Sequence, residues 1–394
     1  ARFERGLHGN GSALVLIPHP NLPMQTAFLA TRREFLATLA PAAIAAAPPP
    51  ELPVEYPLFR SSGTYRELGR QHGEQASGYV QRHLDYMQRT QKLGKTQLRE
   101  KALRFEPLFA RYCPHLLEEI QGLAEGAGIE LAGALAVNIR GELGHAPDGG
   151  CTAYVIGHRG TANGELLAGQ NSDMGDENIR LGYVLHLKPR GKPEVLIWTF
   201  GGMIGYHGMS SAGVAHFANA LGGGPPGRFA MPHYPVKRMM LECARIAEVV
   251  DLFERIPLAS NGNYVLCDGD GAFLNIEATT AGPQLLRGDE AGFLAHTNHF
   301  LAPAYATGKN LEKSWRDSVP RLERMNALLT SQFGALSVQH LKAFLSDHSG
   351  HPTGICRHDG ASRTVAGIIA EPARRRMHVA AGNPCRGRFV TYSM

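Results

Sequence analysis

No uninterrupted apolar run of about 18 residues occurs, so a chain that threads repeatedly through a bilayer is excluded. Nor is there a Lys/Arg block long enough to track a phosphate backbone. The net charge of +5 is spread over 394 residues, which makes nucleic acid a poor partner. Gly122, Gly126 and Gly128 do not form a GxGxxG turn after a strand, so no dinucleotide site is indicated. The six cysteines (113, 151, 243, 267, 356 and 385) include no CxxC and no metal-ligand spacing. His296/His299 and His348/His351/His358 likewise repeat no zinc pattern, and neither a metal nor a cofactor is expected.

What is present is enough for a folded chain: 43% hydrophobic residues are too many for disorder. The first 47 residues read differently from the rest. Thr31-Arg32-Arg33-Glu34 precedes the Ala-rich stretch Phe35 to Ala47, which ends before Pro48-Pro49-Pro50. A basic region, a short weakly hydrophobic stretch and a small-residue cleavage site describe a signal peptide, here of twin-arginine type. Residues 1–47 are therefore expected to be an upstream extension and leader, and the chain to be exported to a periplasmic or extracellular compartment.

From Gly63 to about Gly144 apolar residues recur at helical spacing, with Pro107 and Pro114 as breakers. At Cys151 the period becomes strand-like. Thr152 to His158 and Leu166 to Gln170 are read as two strands turning at Asn163-Gly164. Further strands are expected at Tyr183–Leu187, Glu194–Phe200, Ala212–Asn219, Tyr264–Cys267, Phe273–Ala278, Phe293–His299, Thr364–Ala370 and Met377–Ala381. Helices are expected at Pro235–Arg255, Leu311–Leu329 and Val338–Phe344. Antiparallel strands interrupted by helices suggest an α+β fold of two stacked sheets covered by helices.

At the change of period stands Asp148-Gly149-Gly150-Cys151-Thr152. If the Gly150–Cys151 bond were cut, one residue would carry both a thiol and a free α-amine with a pKa near 7.7–8, able to serve as its base. A hairpin at Asn163-Gly164 brings Gln170-Asn171-Ser172-Asp173 back beside Cys151. Asn298 offers an amide suited to an oxyanion, and Arg357 a guanidinium suited to a substrate carboxylate. A buried strand thiol with no chemistry remains the competing reading of Cys151.

Five motifs in this order resemble the peptidase C45 family, of the isopenicillin N acyltransferase type, among the N-terminal nucleophile hydrolases. They are Gly63-x-x-x-Glu67-Leu68-Gly69-x-Gln71-His72-Gly73, Gly150-Cys151-Thr152, Gly169-Gln170-Asn171-x-Asp173, Thr297-Asn298-His299 and Cys356-Arg357. The resemblance implies a four-layer αββα sandwich and self-cleavage between Gly150 and Cys151. Residues 48–150 would then become a small subunit and 151–394 a large catalytic one, the two associating as one domain over 48–394. It also implies Cys151 as nucleophile, Asp173 beside the new amine, Asn298 at the oxyanion and Arg357 facing substrate, a small-molecule acyl amide. A CoA-dependent N-acyltransferase, a papain-type Cys–His hydrolase and an exported binding protein are the alternatives.

Overall fold

The computed structural model describes residues 52–144, 150–288, 290–358 and 362–394; the expected leader lies outside them. Among the described residues, strand pairing builds two sheets. The larger runs β1 (Leu58–Gly63), β4 (Gly182–Pro189), β5 (Val195–Phe200), β6 (His207–Ser210), β7 (Ala215–Ala220), β8 (Gly262–Cys267), β9 (Phe273–Thr279) and β10 (Gly282–Leu286). The smaller runs β11 (Phe293–His296), β2 (Cys151–Ile156), β3 (Leu167–Met174), β12 (Arg363–Glu371), β13 (Arg376–Ala381) and β14 (Phe389–Ser393). The β1–β4 pair is parallel and the others are antiparallel.

The period-2 alternation of the strands sorts side chains into layers. In β4, Tyr183, Leu185 and Leu187 pack with the N-terminal helices, whereas Val184 packs toward the other sheet. In β2, Ala153 and Val155 enter that shared inter-sheet core while Tyr154 and Ile156 face the late helices. Helices α1 (Tyr65–Gln91), α2 (Lys95–Leu103), α3 (Glu106–Tyr112), α4 (Pro114–Ala127) and α5 (Leu131–Asn138) cover the larger sheet, with α6 (His233–Met240) and α7 (Ile246–Arg255). Of the late helices α8 (Gly308–Glu312), α9 (Ser318–Ser331) and α10 (Val338–Leu345), the last two cover the smaller sheet. This is the αββα sandwich. No helix of the described residues is long and apolar enough to cross a membrane.

The motif that opens the helical segment turns out to be architectural. Thr64 caps α1, and Glu67 closes the capping box by accepting from the Thr64 N–H at 2.7 Å. Gln71 bonds both polar backbone groups of Ser62, tying the helix to β1. Gly69 and Gly73 let α1 meet α4 backbone to backbone, reciprocated by Gly122 and Gly126. A Cβ on Gly69 would lie 1.8 Å from the Glu119 carbonyl oxygen, and one on Gly126 1.9 Å from that of Arg70. His72 is buried and bonds the Tyr183 hydroxyl at 2.7 Å.

The expected helix Pro235–Arg255 is two helices, α6 and α7. Neither glycine nor proline marks the break; the Asp268 carboxylate instead caps the second helix by accepting from the Ile246 N–H at 3.1 Å. The expected Leu311–Leu329 helix likewise divides into α8 and α9, and β1, β6, β10 and β14 are additional to the expected strands.

Candidate active site

Cys151 heads β2, and in the antiparallel register it faces Ser172 of β3. One residue beyond, the Asp173 N–H donates to the Gly150 carbonyl at 3.0 Å. β3 buries four consecutive polar residues, Gln170 to Asp173, which is costly unless each is bonded. Gln170 Nε2 donates to Ser172 Oγ at 2.6 Å, and Asn171 Nδ2 donates to the Leu345 and Ile355 carbonyls. Asp173 Oδ1 accepts from the Thr364 hydroxyl at 2.7 Å. Thr364 lies beside a register shift in β12, a local distortion of the kind that re-aims side chains.

The backbone of Cys151 is gripped from two sides. Its N–H donates to Asn298 Oδ1 at 2.8 Å. Its carbonyl accepts from Arg321 Nη1 at 2.6 Å, which also donates to Thr152 Oγ1. Arg321 Nη2 reaches Asn298 Oδ1 at 2.8 Å and Asp317 Oδ1 at 3.3 Å, so one buried planar fork fixes four groups. Gly150 passes so close beneath it that a Cβ would sit 2.4 Å from Arg321 Nη2 and 3.0 Å from Asn298 Oδ1. Only glycine allows that approach.

Cys151 and Asp173 line a cavity of about 420 Å³ together with Met174, Tyr206, Tyr234 and Lys237. The Lys237 ammonium stands 4.5 Å from the Tyr206 ring centre and 5.1 Å from that of Tyr234. Burial lowers it to about 7. Burial pushes the Cys151 thiol up to about 11, reinforced by the Asp173 charge and opposed by Arg321 and Lys237. Burial likewise raises Asp173 to about 6, against the pull of Arg321 and Arg357. Burial thus works against the charged form of all three groups.

A family model described as acyl-coenzyme A:6-aminopenicillanic acid acyl-transferase matches residues 160–386. The chain belongs to that family. It is 28% identical over 339 residues to the 40 kDa form of acyl-coenzyme A:6-aminopenicillanic-acid-acyltransferase from Emericella nidulans, covering 82% of this chain and 91% of the relative. Among solved structures it is similar to penicillin V acylase from Agrobacterium tumefaciens (14% identity, TM-score 0.43, 59% of this chain and 82% of that one). It is also similar to an N-acylethanolamine-hydrolyzing acid amidase ortholog from Caenorhabditis elegans (16%, 0.41, 56% and 93%). A mutant of conjugated bile acid hydrolase from Clostridium perfringens gives 11%, 0.41, 61% and 97%. The acyl-transferase family is one of enzymes that act on amide bonds, and the αββα sandwich is the N-terminal nucleophile fold implied by the five motifs.

Within this acyl-transferase chain, two site residues differ from their expected placement. Asn298 Nδ2, the expected oxyanion donor, donates to the Ala220 carbonyl at 2.9 Å, and its Oδ1 serves the Cys151 N–H. With two donors on the oxygen and a carbonyl on the nitrogen, the network fixes the amide orientation. Arg357, expected to face substrate, is not part of the cavity lining and pairs through Nη1 with Asp317 Oδ2 at 2.9 Å. Asp317 is buried and draws both Arg321 and Arg357. The cations that line the cavity are Lys237 and Arg140.

Sequence reasoning missed Arg321, Lys237 and Thr364. Arg321 had a signal: it stands with Ser318, Met325 and Leu329 on the buried face of α9, where a cation needs a partner. His296 and His299 are each engaged within the fold, by Glu277 at 2.9 Å and by Ser318 at 2.7 Å.

Proposed function

We propose that the chain is a self-processing cysteine hydrolase that cleaves, or transfers, acyl groups of small amide-linked substrates through a thioester on Cys151. One observation carries this reading. The carbonyl before Cys151 is already bonded by the Asp173 N–H at 3.0 Å, where negative charge develops when a thiol attacks it.

In processing, Asp173 takes the Cys151 thiol proton, and the sulfur attacks the Gly150 carbonyl carbon. The Gly150–Cys151 C–N bond breaks as its nitrogen is protonated, leaving a thioester between the Gly150 acyl carbon and Cys151 Sγ. Water then hydrolyses the thioester, giving a Gly150 carboxylate, a free thiol and a free α-amine. A thiol as high as about 11 has little thiolate at neutral pH, so a base is required at the moment of attack.

After processing, Asn298 Oδ1 sits where it holds the new amine, and that amine becomes the base for catalysis. Cys151 attacks the substrate amide carbon, the leaving amine collects the proton, and water or a second amine resolves the thioester. Oxyanion donation by Asn298 requires its Nδ2 to exchange the Ala220 carbonyl for the substrate. The family's named reaction, transfer to 6-aminopenicillanic acid, supports acyl-amide chemistry for this chain. The cavity, with Tyr206, Tyr234 and Met174 beside Lys237, suits an apolar acyl arm that carries a polar group.

The helical segment supplies β1 and the layer over the larger sheet, so the two processed chains stay associated through a shared core. Export by the twin-arginine route belongs to the same proposal and rests on Arg32-Arg33. The test is to expose the protein to a panel of N-acyl amino acids and acyl-amines, quench in acid and weigh the large chain. An acyl adduct on Cys151, absent in Cys151→Ala, supports the reading. Turnover of an amide in Cys151→Ala contradicts it.

A further inference from the structure

His348, Cys356, His358 and Cys385 come from two separate turns of the smaller-sheet half, yet their ligand atoms all lie within 4.8 Å of one another. His348 Nε2 and His358 Nε2 are 2.9 Å apart, and Cys385 Sγ is 3.1 Å from His358 Nε2. Cys356 Sγ stands 3.6 Å from the same nitrogen and 3.7 Å from Cys385 Sγ. Zn–S bonds of about 2.3 Å and Zn–N bonds of about 2.0 Å place tetrahedral ligand atoms roughly 3.3–3.8 Å apart. The two sulfurs, and Cys356 with His358, already have that separation. The remaining pairs reach it by small side-chain rotations on a surface where His348 and Cys385 are exposed.

We propose that these four side chains form a zinc site of Cys₂His₂ type. A set of two thiolates and two neutral imidazoles selects a borderline-soft tetrahedral ion. Binding forms two Zn–S and two Zn–N bonds and releases the two thiol protons to solvent, so the occupied site carries no net charge. A supporting shell is in place: Asn383 Nδ2 points at Cys356 Sγ at 3.6 Å, and the Cys356 N–H is bonded to the Asp347 carbonyl at 2.9 Å. A Cys356–Cys385 disulfide is the competing use of these thiols, and it needs the sulfurs to close from 3.7 Å to about 2.05 Å.

The position gives the ion a task. Arg357 lies between two of the ligands, and its N–H donates to the same Thr364 hydroxyl that serves Asp173. The ion would staple the turn before β12 to the turn between β13 and β14. It thereby fixes the backbone from which Arg357 reaches Asp317. The site is structural: its ligands do not line the cavity.

The test uses the full chain expressed without an affinity tag in zinc-supplemented medium and purified without chelator or reductant. About one zinc per chain is expected by elemental mass spectrometry, falling at least tenfold in both Cys385→Ser and His348→Ala. Circular dichroism confirms that the variants are folded. Cobalt exchanged into the wild-type protein should show the visible absorption of a tetrahedral thiolate site, which requires no variant to fold. Three results overturn the proposal: no zinc in wild-type protein whose Cys356 and Cys385 titrate as free thiols, a Cys356–Cys385 disulfide in the native mass, or equal zinc in wild type and variants.

Discussion

The backbone N–H of Asp173 donates to the carbonyl oxygen of Gly150 across 3.0 Å, so one residue of β3 both addresses the bond before Cys151 and belongs to the lining of the cavity that Cys151 lines. The hairpin register sets this relationship: Cys151 faces Ser172, and the next residue on β3 overhangs the strand's head. A one-residue slip would carry the Asp173 side chain to the opposite face.

Gly150→Ala should slow self-cleavage at least tenfold. The added Cβ meets Arg321 Nη2 at 2.4 Å, and relief requires moving a guanidinium that is fixed by four bonded groups. A displaced carbonyl loses its alignment with the Asp173 amide, worth roughly tenfold or more in rate. A time course of intact masses after denaturant-free purification reads this directly.

Asp173 should show opposite pH dependences in rate and stability. Its folded value of about 6 lies above the ordinary value of 3.8, so the fold disfavours the ionised form. The destabilisation is absent below about pH 4, grows between about 4 and 6, and is constant above, on the order of 1–3 kcal/mol. Asp173→Asn should therefore raise Tm at pH 7 and lose that advantage near pH 4, as measured by calorimetry. Self-cleavage of the wild-type chain should fall as pH drops through about 6, because protonation removes the base.

Arg321→Met should cost about 1–3 kcal/mol, because it leaves the Cys151 carbonyl buried without its donor while Asp317 keeps Arg357. Arg321→Lys should recover little of the loss, since a single ammonium does not reproduce the planar fork. Urea denaturation midpoints of the three chains check this.

Gly122→Ala should destabilise by at least about 1–3 kcal/mol, through overpacking of a helix pair already in backbone contact. Its Cβ would lie 2.1 Å from the Arg66 carbonyl oxygen. Gly94→Ala and Gly128→Ala provide contrast: open space surrounds both, and only Gly128 has a left-handed backbone, φ +66°. In thermal melts Gly94→Ala should therefore leave Tm nearly unchanged.

The sequence made the β2–β3 hairpin legible because its signals are local: an alternating apolar run, Asn163-Gly164 at the turn with Gly164 at φ +68°, and a return strand carrying Asp173. Cys151 at the head of a strand followed from the same run. What escaped depends on distant partners. The break before α7 is made by Asp268 of another element, and the edge strands β1 and β14 mix exposed and buried residues without a clean period. Which end of the Asn298 amide faces the Cys151 backbone depends on Ala220 and Arg321, distant in the chain. The direction of Arg357 is not legible for a similar reason, since it is set by Asp317, 40 residues earlier in the chain. The four-ligand cluster was invisible to spacing rules because Cys385 joins it across the sheet, from a different turn.

The most direct measurement is the intact mass of freshly synthesised protein followed over hours, with N-terminal sequencing of any large fragment. Two chains should emerge, the larger beginning Cys-Thr-Ala-Tyr, whereas Cys151→Ala should remain single. A wild-type chain that stays whole at Gly150–Cys151 while turning over amides would contradict self-processing.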